Sequence, residues 1–159
     1  KRIDRAFDMN EFYSRKFINY GPSFQVLRSV SISDRDEIFA VSNPYRFSRT
    51  GVPQYDLLTT FYEACVQAAA TKCLFETKGL ALPTSIKSIR HFGAIGRGDI
   101  AITTGALRRD KDPTFFETDV FAFGAEGRLI VALEGVRLKR FVQLKEFPLL
   151  FAASKASAT

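Results

Sequence analysis

The stretch LLTTFYEACVQAAATKCLFETK, residues 57–78, decides the fold. It runs 22 residues without Gly or Pro, enough for a helix of about 33 Å. Asp56 stands ahead of it as the expected N-terminal cap, and Lys78 followed by Gly79 marks the expected stop. Its polar positions Thr59, Glu63, Gln67 and Thr71 fall four apart, on one slowly drifting stripe. The other faces are largely apolar, whereas a surface helix would show a broad polar face. The helix is therefore expected to be wrapped, most simply by a curved sheet. Two readings of the stripe stay open on pattern alone: the solvated side of the helix, or a carboxylate and an amide placed for chemistry.

Working outward, the chain has 159 residues, the length of one domain able to bury a real core. Sixteen Phe and no Trp point to a core or tunnel of flat apolar side chains. The longest apolar runs, LIVAL at 129–133 and FPLLFAA at 147–153, fall well short of the roughly 20 residues that cross a bilayer, and the first residues do not form a signal peptide. No membrane partner and a cytoplasmic location are expected. Cys65 and Cys73 lie eight apart on the helix, too far along its axis to bridge, and no cysteine–histidine spacing suits a metal. Two reduced, packed thiols and no metal site follow.

The net charge of +6 raises nucleic acid as a partner. The basic residues are dispersed, with small groups at Arg108, Arg109 and Lys111 and at Arg137, Lys139 and Arg140, and no nucleic-acid motif accompanies them. An acidic protein partner, or a solvated face with no partner, is served equally well.

Along the chain, Asp8 and Glu11 in DMNEFYSRKF give a capping-box pattern for a helix of two or three turns, closed by NYGPSF. Gln25 to Ser33 alternates, DRD turns and EIFAVS returns, predicting a hairpin. NPYRFSRTGVPQ at 43–54 reads as a loop. After the helix come four strand-like runs: TSIKSIRHF, DIAITTGALRR, FFETDVFAFG and RLIVALEGVRLKRF, the last two joined through Gly124–Gly127. GAIGRG at 93–98 lacks the strand-before, helix-after setting of a phosphate loop and reads as a turn between strands. The expected fold class is α+β, an antiparallel curved sheet around one long helix, with residues 1–145 as a single domain and 146–159 as a tail or linker.

This order, with YGPSF at 20–24, EACVQA at 63–68, LPTSIKSIRHFG at 82–93 and GAEGRLIVALEGVRLKR at 124–140, resembles the C-terminal hotdog half of a polyketide synthase dehydratase. The resemblance implies half of a double hotdog. A second hotdog unit, or a homodimer, is the implied structural partner. An acyl carrier protein is the implied substrate carrier, presenting 3-hydroxyacyl thioesters on phosphopantetheine, with no bound cofactor. The family's catalytic histidine sits in an HxxxGxxxxP motif of the N-terminal hotdog. The only histidine here, His91, lacks that spacing and reads as a structural or pocket-edge residue. The family's helix pattern HPxLLDAxxQ falls on LTTFYEACVQ at 58–67, placing Glu63 at the aspartate and Gln67 at the glutamine. Leu58 and Thr59 replace the His-Pro pair, and Glu is one methylene longer than Asp. The chain opens at Lys1 and reads as a fragment of a longer protein.

Loss of water from a 3-hydroxyacyl thioester needs a base for the α proton and an acid for the departing hydroxyl. The resemblance gives the acid role to Glu63, and Gln67 would hold its carboxyl one turn on. Surrounding Phe61, Tyr62, Cys65 and Val66 would desolvate that carboxyl and favour its protonated form. Tyr20, Phe24, Tyr62 and Pro83 are the expected substrate-binding residues, with Pro83 placed in a loop shaping the tunnel wall. The rival functions are a hotdog cyclase, isomerase or thioesterase, and a non-catalytic scaffold or carrier-binding module.

Overall fold

The computed structural model describes residues 3–15, 18, 20, 24–33, 37–44, 53–145 and 151–152. Its elements in chain order are β1 (Ile3–Phe7), α1 (Met9–Ser14), β2 (Leu27–Ser33), β3 (Ile38–Ser42), α2 (Pro53–Thr77), β4 (Gly79–His91), β5 (Ile100–Thr104), β6 (Arg108–Arg109), β7 (Phe115–Phe123), β8 (Leu129–Gln143) and β9 (Phe151–Ala152). The strands form one antiparallel sheet in the order β4-β8-β7-β5-β3-β2-β1-β9, with β6 on β7. The sheet curls around α2, the arrangement expected of a hotdog.

Local chemistry explains the wrap. Ala64, Cys65, Ala68, Ala69 and Cys73 are all fully buried on α2, and such small side chains let the strands close onto the helix. The sheet answers with alternating residues: Phe116, Thr118, Val120 and Ala122 of β7 point inward, as do Val30 and Ile32 of β2 opposite Ala40 and Ile38 of β3. Curvature is helped by register shifts in the long β7–β8 and β4–β8 ladders. One of them sits opposite Gly135, whose φ of 63° is costly for any residue with a Cβ. The Gly135 amide donates to Asp119 Oδ1 at 2.8 Å, and an added Cβ would lie 2.8 Å from that of Lys87.

Several sequence expectations are corrected here. Asp56 is not the cap of α2, which already begins at Pro53, a residue suited to a first helical turn. At the other end Lys78, not Gly79, takes the left-handed conformation, with φ 55°. Gly79 is instead the first residue of β4, where a Cβ would lie 2.2 Å from the Arg140 side chain. Strand β4 is longer than predicted and takes in Pro83, which lies on the edge strand of the sheet beside a register shift, the setting in which a strand tolerates proline. The run 99–109 divides into β5 and β6 around Gly105, and β1 and β9 were not anticipated. β9 brings two residues of the segment read as a tail alongside β1.

The capping box of α1 is present, with Asp8 Oδ1 accepting from the Glu11 amide at 3.1 Å. The 93–98 turn joins β4 to β5, and Gly124–Gly127 closes the β7–β8 hairpin. The DRD turn and most of the 43–54 loop lie outside the described residues. Both cysteines are free and buried, and burial pushes both thiols up. No helix among the described residues is long and apolar enough to cross a membrane.

Candidate active site

The polar stripe of α2 is not a solvated face. Thr59 is exposed and Glu63 half-buried, while Gln67, at 3% exposure, and Thr71 are enclosed. Buried amides need partners for every polar atom, and Gln67 has them. Its Oε1 accepts from the Tyr13 hydroxyl at 2.8 Å, and that hydroxyl accepts in turn from the Leu27 amide at 3.0 Å. Its Nε2 donates to the Phe24 carbonyl at 2.5 Å and to Glu63 Oε1 at 2.7 Å. Both amide protons and the amide oxygen are engaged, so the orientation of Gln67 is fixed by α1, the segment before β2, and the helix together. Thr71 closes the row by donating back to the Gln67 carbonyl at 2.8 Å.

Glu63 thus offers Oε1 to a fixed donor, while Oε2 has no hydrogen-bond partner among the described residues. A carboxyl held through one oxygen leaves the other turned to whatever occupies the open stripe, a geometry that suits a group acting on a bound substrate. The enclosure predicted for it is only partial. Phe61 and Cys65 turn into the core, and Glu63 shares its open face with Leu58, Tyr62 and Val66.

Tyr20 is half-buried and meets the Tyr13 ring edge to face, with centroids 5.9 Å apart. Desolvation, then the nearby Glu63 charge, raises its phenol well above the ordinary tyrosine range. Tyr13 is raised mainly by burial, against the lowering effect of the Leu27 amide. Both phenols are therefore protonated donors at neutral pH. Phe24 is exposed and bounds the open stripe, contributing its carbonyl to Gln67. On the other side, Tyr62 hydrogen-bonds Nε2 of His91 at the end of β4.

Of the predicted residues, the structure therefore gathers Glu63, Gln67, Tyr20 and Phe24 into one network with Tyr13. Tyr62 flanks it, and Pro83 stands apart on the exposed β4 edge. Tyr13 was missed, because a tyrosine inside a short amphipathic helix carries no spacing signal for a partner 54 residues away.

A cavity of about 10 Å³ lies beside Gln67 and Tyr20, against Phe12, Ala70 and Leu80. It has room for about one water. A wider groove of about 400 Å³ at the far ends of β4 and the β7–β8 turn contains none of the predicted site residues. No cluster of three metal-binding side chains occurs among the described residues. The two basic groups are interleaved with acids: Arg108 contacts Glu117 and Asp119, and Arg137 pairs with Asp110 while stacking on Phe115 at 4.1 Å.

The family model for the polyketide synthase dehydratase N-terminal domain matches residues 1–147. The chain belongs to the polyketide synthase dehydratase family. The matching model is described as the N-terminal domain, whereas the sequence motifs resemble the C-terminal half, so the match carries the family and not the half. Among solved structures, the dehydratase domain of the polyketide PpsC from Mycobacterium tuberculosis superposes with a TM-score of 0.71 at 17% identity, over 88% of this chain and 52% of that one. GphF dehydratase 1 gives 0.65 at 20%, over 89% and 53%. The dehydratase domain from the CurJ module of the curacin polyketide synthase gives 0.61 at 17%, over 88% and 50%. The chain thus spans about half the length of the structures it matches, and at such identity they share its fold. Comparison with curated proteins finds no match.

Proposed function

We propose that this chain is the C-terminal hotdog half of a polyketide synthase dehydratase acting in the cytoplasm. It contributes Glu63 and Gln67 to a composite site that eliminates water from 3-hydroxyacyl thioesters. The observation that carries this reading is the Gln67 Nε2 to Glu63 Oε1 hydrogen bond on the half-open stripe of α2. Glu63 protonates the departing hydroxyl through Oε2, and Gln67 holds Oε1. The base that takes the α proton is a histidine of another hotdog unit.

Placement in the C-terminal half rests on the helix pattern at 58–67 and on His91, the single histidine, standing at the end of an edge strand. Pairing with another unit is supported by β4 itself. It ends the sheet, and its Leu82 and Ile89 are 45% and 43% exposed. A long edge strand with apolar side chains invites another strand. The cavity beside Gln67 holds about one water, so the acyl chain lies along the open stripe between Phe24 and Tyr62, covered by the second unit. The dehydratase domain of PpsC, which shares the fold, was solved in complex with C12:1-CoA.

The substrate arrives on the phosphopantetheine of an acyl carrier protein, whose acidic surface suits the net charge of +6. Carrier affinity should fall as ionic strength rises. The test is turnover of a 3-hydroxyacyl carrier substrate by the complete protein and its Glu63→Gln and Glu63→Asp forms. Loss of about 10²- to 10⁴-fold in Glu63→Gln is expected for removal of a general acid. Unchanged turnover would remove that role, and carrier binding without turnover by the unmutated protein would favour a binding module.

A further inference from the structure

Tyr62 immediately precedes Glu63, and its phenol is hydrogen-bonded to His91 Nε2. The rings meet edge to face, with centroids 6.0 Å apart and planes at 85°. Burial raises the Tyr62 phenol, so it keeps its proton, and the imidazole tautomer sets which of the two groups donates. Neither residue belongs to the helix pattern of the family: Tyr62 falls where that pattern has leucine, and His91 is outside it.

The pair joins two open surfaces. In the N-terminal half of α2, the sheet leaves Leu58 and Thr59 exposed and Leu57, Tyr62, Glu63 and Val66 half-buried. On β4, only Gly79–Ala81 are buried; from Leu82 to His91 the strand is exposed except at the half-buried Ile86 and Ser88, with Phe92 exposed just beyond. β4 stays paired with β8 as far as His91, and a side-chain contact from that end reaches across to the open stripe of the helix. Tyr62 and His91 supply that tie.

We propose that the Tyr62–His91 pair is a positioning latch that couples the β4 edge to the placement of the Glu63 carboxyl. This rests on the composite-site reading above: a second unit seated on β4 fixes His91, His91 fixes Tyr62, and Tyr62 fixes the helix turn that carries Glu63. Gln67, anchored by Tyr13 and Phe24, holds the carboxyl from the opposite flank. Successive helix residues point about 100° apart, so the latch and the carboxyl occupy neighbouring flanks of one turn. A misplacement of about 1 Å at the reacting group can cost about 10²-fold in rate, so a tie one residue away has leverage on turnover.

The test is a double-mutant cycle in the complete protein with Tyr62→Phe, His91→Leu, the double variant and His91→Gln. Tyr62→Phe removes one oxygen and His91 is exposed, so the variants should fold, as thermal melts will verify. Each single substitution is expected to lower kcat about 10-fold with KM changed less than about 2-fold, a fraction of the misplacement cost. The double variant should be no slower than the slower single, since one link is broken either way. His91→Gln, whose amide oxygen can accept from the phenol, should restore most of the rate.

A second readout needs no turnover: the Gln67 side-chain amide resonances report its bond to Glu63 and should shift in both single variants. Unchanged kcat in the singles, multiplicative losses in the double, or a loss confined to KM would overturn the latch. If the unmutated protein dehydrates no 3-hydroxyacyl substrate, it is the dehydratase reading that fails. The latch is then judged on the Gln67 resonances, and their constancy would overturn it.

Discussion

Two segments of α2 are built from similar residues and meet different surroundings. From Gln67 to Leu74 every residue is buried, including Thr71 and Lys72, whose ammonium pairs with Glu76. From Leu57 to Val66 the helix alternates between core residues such as Phe61 and Cys65 and an open stripe. β4 repeats the contrast, buried over its first three residues and exposed over the rest except at the half-buried Ile86 and Ser88. The site lies at the boundary between the two regimes. A carboxyl there can be fixed by buried partners through Gln67 while Oε2 stays accessible to a substrate. Deeper in the wrap it would be sealed off, and further out it would lose its anchors.

The contrast can be broken most forcefully by truncating leucines. Leu74→Ala, at a site 3% exposed, should cost about 2–5 kcal/mol in denaturant unfolding. Leu58→Ala, at a site 40% exposed, should stay within about 0.5 kcal/mol. Equal effects would mean that the helix is wrapped evenly. Next comes the boundary residue. Gln67→Leu keeps the bulk but strips the Tyr13 hydroxyl and the Phe24 carbonyl of a buried partner, for an expected loss of about 1–3 kcal/mol. Glu63→Gln should cost less stability than this while affecting turnover more. The opposite ranking would make Glu63 the structural residue and Gln67 the functional one.

A smaller effect distinguishes the helix from the outer face of the sheet. Hydrogen bonds from Arg108 hold the Asp119 carboxyl below its usual range, and the Gly135 amide adds to this. Because the folded-state value is depressed, the stability from Asp119 is complete above its unfolded value and is lost as pH falls through the folded one. With both partners partly solvated, the contribution should be about 1 kcal/mol or less. Asp119→Asn should therefore flatten the acid limb of the stability profile slightly and leave turnover at neutral pH unchanged. A large change in turnover would tie the outer face to the site.

The helix, the two hairpins and the wrap were legible because apolar periodicity and turn residues are local signals. β1 and β9 were not, since five- and two-residue strands derive their identity from neighbours distant in sequence. The cap and the C-terminal stop of α2 were each misplaced because Pro53 begins the helix ahead of Asp56, and because Gly79 answers to the Arg140 side chain rather than to backbone φ. Within the site, Glu63 and Gln67 were readable from their spacing of four. The Tyr13 and Phe24 anchors, and the Tyr62–His91 contact, exist only once β4 and the segment before β2 have folded back on the helix.

The most direct test of the account is amide hydrogen exchange along β4 in the complete protein. If another unit completes the site, amides of residues 82–91 that face away from β8 should be protected about as well as those that face it. Alternating protection, with only the β8-facing amides slowed, would contradict the account and leave β4 a bare edge.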